Sequence, residues 1–95
     1  MNNYELMFIV KPEASEDSFN ATLNKVSQLV ADNGGEVGKA EPWGRRRLAY
    51  PIKNIREGQY ALMQFKMAPD KTAILEQGLK LNEDIIRYLL VKTSA

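Results

Sequence analysis

The chain has 95 residues, 44% hydrophobic and 26% charged, and a formal net charge of +1. That length suits a single domain spanning 1–95 and is too short for two. Cysteine and histidine are both absent, which excludes disulfides, thiol catalysis and thiolate metal sites and removes the commonest general base and transition-metal ligand.

The first stretch of regular structure is residues 4–10. Leu6, Met7, Phe8, Ile9 and Val10 are apolar on both parities, the pattern of a strand covered on both faces. Pro12 ends it, because proline cannot donate to the ladder. Ser15 then suits a helix N-cap, with Glu16 and Asp17 placed to favour the helix dipole. Phe19, Leu23, Val26 and Val30 follow at helical spacing to about Asp32, and Asn33-Gly34-Gly35 stops the helix.

A second strand is predicted over 36–40 and resumes over 45–50, with either an interruption or a bulge at Pro42 and Gly44. Residues 54–58 read as a turn and 59–67 as a third strand. Pro69 and Asp70 read as the cap of a second helix, with an apolar stripe of Ile74, Leu75, Gly78 and Leu79. After a turn at 82–84, residues 85–91 read as a final strand broken only by Arg87.

The order strand, helix, strand, strand, helix, strand predicts an α+β, ferredoxin-like β-α-β-β-α-β sandwich. It has a four-stranded antiparallel sheet with two helices on one face. The first and third strands are expected at the centre and the second at an edge. If Leu6, Phe8 and Val10 face the helices, Met7 and Ile9 face outward, with Met63 and Leu89 or Val91 as candidates to join them. Such an uncovered apolar face suggests a protein partner, although a few exposed apolar residues are ordinary.

Charge is concentrated in one place. Residues 1–38 carry a net −4, residues 39–56 a net +5 and residues 57–95 a net of zero. The basic segment contains Trp43-Gly44-Arg45-Arg46-Arg47-Leu48-Ala49-Tyr50-Pro51-Ile52-Lys53. Arginine forks match phosphate oxygens, and aromatic rings offer faces to bases or guanidinium groups. Nucleic-acid contact therefore stands beside a second reading, an edge strand guarded by charge against edge-to-edge pairing. On a regular strand Arg45 and Arg47 share a face with Trp43, and Arg46 takes the other. Lys39, Lys53 and Arg56 extend the patch. Arg87 either pairs with a carboxylate such as Glu5 or reaches a phosphate.

Catalysis finds little support. Glu16/Asp17 and Glu83/Asp84 sit at element ends, where they suit caps and turns. Gly34-Gly35 lacks a phosphate-loop pattern. No catalytic residue, metal site or cofactor is assigned. A small phosphate-handling enzyme using Arg45 stays a distant alternative. No apolar run reaches membrane-spanning length and no basic-then-apolar leader opens the chain, so a cytoplasmic protein is expected.

The run from Gly44 to Ile52 resembles the signature of the ribosomal protein S-six family, the sixth protein of the bacterial small subunit. Tyr4-Glu5, Pro12, Gly34-Gly35, Trp43, Tyr60 and Arg87 also fall where that family has them. The resemblance implies a ferredoxin-like fold and a structural, non-enzymatic ribosomal role in translation. It also implies two partners: the central domain of small-subunit rRNA and the eighteenth small-subunit ribosomal protein. Neither a membrane nor a small-molecule substrate is expected as a partner. On this reading Arg45, Arg46, Arg47, Lys53 and Arg87 are expected to contact RNA. Tyr4, Met7, Ile9, Met63 and Leu89 are expected to contact the protein partner. Trp43 and Tyr50 are assigned mainly to packing of the hairpin. An RNA-binding module acting alone is the second reading.

Overall fold

The chain alternates strands and helices in the order β1 (Asn2–Val10), α1 (Glu16–Asp32), β2 (Glu36–Ile52), β3 (Ile55–Met67), a single 3-10 turn (Pro69–Lys71), α2 (Thr72–Leu81) and β4 (Ile85–Ser94). This is a computed structural model; the described residues are 1–52 and 55–94, with the side chains of 49–52 and 94 left aside. The strands form one antiparallel sheet in the order β2-β3-β1-β4. β1 and β3 are thus central and β2 an edge, as the ferredoxin-like topology predicts.

Local chemistry sets the helix ends. Ser18 N–H donates to Ser15 Oγ at 3.1 Å, and Glu16 and Asp17 follow in the first turn of α1. At the other end Asn33 Nδ2 donates to the Leu29 carbonyl at 2.8 Å, and Gly34 takes a φ of 79°. α2 differs from expectation at its start. Asp70 makes no capping bond; the 3-10 turn leads in, and Thr72 Oγ1 donates to the Pro69 carbonyl at 2.9 Å.

The core lies between the helices and one sheet face. Tyr4, Leu6, Phe8 and Val10 of β1 and Ala61, Met63, Phe65 and Met67 of β3 meet Phe19, Val26 and Val30 of α1 and Leu75 and Leu79 of α2. Thr22 is buried with them and donates to the Ser18 carbonyl at 3.0 Å, satisfying its hydroxyl within the helix. Ile74, expected on the buried stripe of α2, is exposed; Gly78 instead brings α2 against Leu29 of α1. Lys11 Nζ pairs with Asp84 at 2.9 Å, joining the end of β1 to the turn before β4. Among the described residues no helix is long and apolar enough to cross a membrane.

Two boundaries differ from the sequence reading. β2 runs unbroken from Glu36 to Ile52, and β3 begins at Ile55 instead of after a turn over 54–58. Arg46 pairs with Gly58 and Arg47 with Glu57, so residues expected in a turn form ladder. β1 pairs with β3 only up to Gln59. The β2–β3 ribbon therefore projects beyond the sheet, carrying the basic segment.

Candidate nucleic-acid interface

The ribbon owes its shape to a bulge. Pro42 stands opposite Ala61 and Gly44 opposite Tyr60, leaving Trp43 as the extra residue. Gly44 has φ 83°, a conformation glycine adopts at little cost. The insertion resets the alternation of β2. Beyond it, Arg46 shares the sheet face turned away from the helices with Lys39 and Glu41. Arg45 and Arg47 lie on the helix side, opposite Gln59 and Glu57.

Trp43 joins the Arg46 side, which corrects the regular-strand expectation. The Arg46 guanidinium carbon lies 5.3 Å from the Trp43 ring centroid. The indole Nε1 donates to Glu41 Oε2 at 3.3 Å, and Lys39 Nζ pairs with Glu41 Oε1 at 2.6 Å. The hydrogen bond from Lys39, then that from Trp43, holds the Glu41 carboxyl below its ordinary value, and Glu41 raises Lys39 in return. Lys39 is thus neutralised locally and adds little to the basic patch.

Each arginine of the triplet has a different setting. Arg45 Nη2 donates to the Pro12 carbonyl at 2.8 Å, and its Nη1 is 3.9 Å from Glu57. It ties the ribbon to the β1–α1 connection while staying exposed. Gln59 braces the same connection, donating to the carbonyls of Lys11 at 3.2 Å and Ala14 at 2.8 Å. Arg46 rests on Trp43, which occupies its face and leaves its N–H edge as the hydrogen-bonding part. Arg47 is exposed on the helix side, and the ribbon therefore presents guanidinium groups on both faces. Lys53 lies outside the described residues. Arg87 is exposed on β4 opposite Ile9, with Glu5 four residues away along β1.

The five residues expected at a protein partner divide. Met7 is half-buried and Leu89 61% exposed, and the two pair directly on the uncovered face. Ile9 lies on that face but is 7% exposed, its Cγ2 lying over Gly58. Met63 is corrected: it is 0% exposed and shares the parity of Ala61 and Phe65, pointing into the helix-side core. Tyr4 is corrected for the same reason, at 7% exposed with its ring stacked 5.6 Å from that of Phe65. Leu62, opposite Met7, takes the place assigned to Met63. The signal was available in the composition of β3, where the parity carrying Tyr60 and Gln64 is the more polar one.

The uncovered face is graded along its length. Glu5 and Gln64 stand at one end, where Gln64 Nε2 donates to Glu5 Oε2 at 3.5 Å. Met7, Leu62 and Leu89 form an apolar middle, and Arg46, Tyr60 and Arg87 lie at the ribbon end. Among the described residues no group of three or more carboxylates could hold a metal ion.

Comparison with known proteins agrees with this architecture. The family model described as Ribosomal protein S6 matches residues 3–92. A curated relative, small ribosomal subunit protein bS6 of Desulforamulus reducens, is 46% identical over 97% of this chain and 97% of its own length. The bS6 protein of Clostridioides difficile is 45% identical over 96% of this chain and 98% of its own. The crystal structure of 30S ribosomal protein S6 from Thermotoga maritima superposes with a TM-score of 0.91 at 28% identity, covering 96% of this chain and 86% of that one. With a family match over nearly its whole length and the same fold, this chain belongs to the ribosomal protein S6 family.

Proposed function

We propose that this chain is a structural constituent of the small ribosomal subunit in the cytoplasm. In this role it binds the central domain of small-subunit rRNA together with the eighteenth small-subunit protein. Family membership supports the ribosomal role and stands against the enzyme alternative. The observation that carries the finer reading is the projecting ribbon, which offers Arg45, Arg46 and Arg47 on both faces beside an apolar sheet surface. Guanidinium groups on a two-stranded ribbon can grip phosphates and set orientation without reading bases. Lys53 and Arg87 are proposed as further RNA contacts.

The apolar middle of the sheet, centred on Met7, Leu62 and Leu89, is proposed as the protein-docking surface. Ile9 contributes only its small exposed part. A net charge of +1 is modest for holding RNA unaided, and a basic partner would supply the remaining attraction.

A gel-shift titration with central-domain rRNA, with and without the eighteenth protein, tests this reading. Tight binding only with both proteins is the expected result. Equally tight binding by this chain alone would favour the independent RNA-binding module, and no binding in either case would overturn the function.

A further inference from the structure

We propose that the ribbon end of the uncovered sheet face is a pocket for one unpaired RNA base, stacked on Tyr60 with its flanking phosphates held by Arg46 and Arg56; this rests on the RNA-binding reading above. Tyr60 pairs with Ile9 on one side and Gly44 on the other, so one neighbour has no side chain and the other is packed down onto Gly58. A Cβ at Gly58 would stand 2.2 Å from Ile9 Cγ2 and 3.6 Å from Ile86 Cδ1. Ile9 and Ile86 therefore form a low apolar floor beside a half-buried tyrosine ring.

Cations rim this floor. Arg46 stands opposite Gly58, with its guanidinium positioned by Trp43. Arg56, two residues before Gly58 on the same strand parity, and Arg87, opposite Ile9, are both exposed. An aromatic and apolar floor with guanidinium groups around it suits a base with its phosphates. Stacking tolerates any base, whereas phosphates demand cations. The middle of the face has the apolar surface without the cations, and so suits a protein. The charge around Tyr60 distinguishes the two ends.

The test uses the full chain with its protein partner and the central-domain rRNA fragment. Tyr60→Phe keeps the ring and is expected to bind RNA within about 2-fold of the parent, whereas Tyr60→Leu is expected to lose about 10-fold. The salt dependence of Tyr60→Leu should match the parent, because no phosphate contact is removed, while Arg46→Ala should show a shallower slope. Thermal melts of each variant confirm that folded protein is compared. Parent-like RNA affinity of folded Tyr60→Leu would overturn the base pocket while leaving the RNA reading intact. A loss by Tyr60→Leu of affinity for the partner protein in the absence of RNA would also overturn it, assigning Tyr60 to protein docking. Failure of the parent itself to bind RNA would overturn the pocket together with the reading beneath it.

Discussion

Arg46 stacks on Trp43, 5.3 Å from the ring centroid, across Gly44, whose φ of 83° is left-handed. The bulge makes this possible: without the extra residue the two side chains would fall on opposite faces. A backbone irregularity thus decides which arginine faces which surface, and Trp43 holds that arginine in place.

Gly44→Ala tests the bulge. Nothing lies within 4 Å of a Cβ placed there, so the cost is conformational alone. A non-glycine residue at positive φ costs about 1–2 kcal/mol. The expected result is a fall in Tm of about 4–8 °C per kcal/mol for a domain of this size. An unchanged melting curve would show that the bulge can relax.

Met63→Ala and Leu89→Ala should behave oppositely. Met63 is fully buried, so its truncation should cost about 2–5 kcal/mol in denaturant unfolding while leaving partner affinity of the folded protein unchanged. Leu89 is exposed, so its truncation should move stability by less than about 0.5 kcal/mol and weaken partner binding. A binding titration with folded Met63→Ala that shows lost affinity would restore Met63 to the interface.

Much of this architecture could be read from periodicity. Phe19, Val26 and Val30 at helical spacing place the first helix and its buried face, because burial imposes that repeat, whereas β1 is apolar on both parities and its covered face is settled only by packing. The unbroken course of β2 is not decided by Pro42 and Gly44, which suit an interruption or a bulge equally; the ladder takes the bulge, with Trp43 as the extra residue. Met63 falls on the core face because it shares the apolar parity of Ala61, Phe65 and Met67, a sign in β3 itself that outweighs the neutrality of a lone methionine, and register with β1 agrees. The basic segment is legible from charge, and its alternation between two faces from strand geometry, but which arginine shares a face with Trp43 depends on one inserted residue.

Glu41 offers a pH test. Hydrogen bonds from Lys39 and Trp43 depress its folded value below 4.5. Its contribution is therefore present above the unfolded value and is lost as pH falls through the lower folded one. The Trp43 indole N–H resonance should titrate with a midpoint below 4.5, and Glu41→Gln should abolish that titration. A midpoint at or above 4.5 would contradict the Lys39–Glu41–Trp43 chain.

Gly58→Ala should strain the sheet, since the new methyl would stand 2.2 Å from Ile9 Cγ2. Overpacking of this kind costs about 1–3 kcal/mol. Ile9→Ala should recover part of that loss in a double-mutant cycle by denaturant unfolding, because the two groups compete for one space. Strict additivity would contradict the contact.

Whether the ribbon arginines hold RNA or merely guard a strand edge is decided by the triple variant Arg45→Ala, Arg46→Ala, Arg47→Ala. Its affinity for central-domain rRNA should be measured with the protein partner over a salt series, alongside its melting curve. The expected Tm lies within about 8 °C of the parent, reflecting chiefly the lost Arg45–Pro12 bond. RNA affinity should fall markedly, with a salt slope shallower by about 0.7–0.9 for each phosphate contact removed. Collapse of stability with RNA assembly intact in the remaining folded protein would contradict the RNA-holding role and leave the arginines as guardians of the strand.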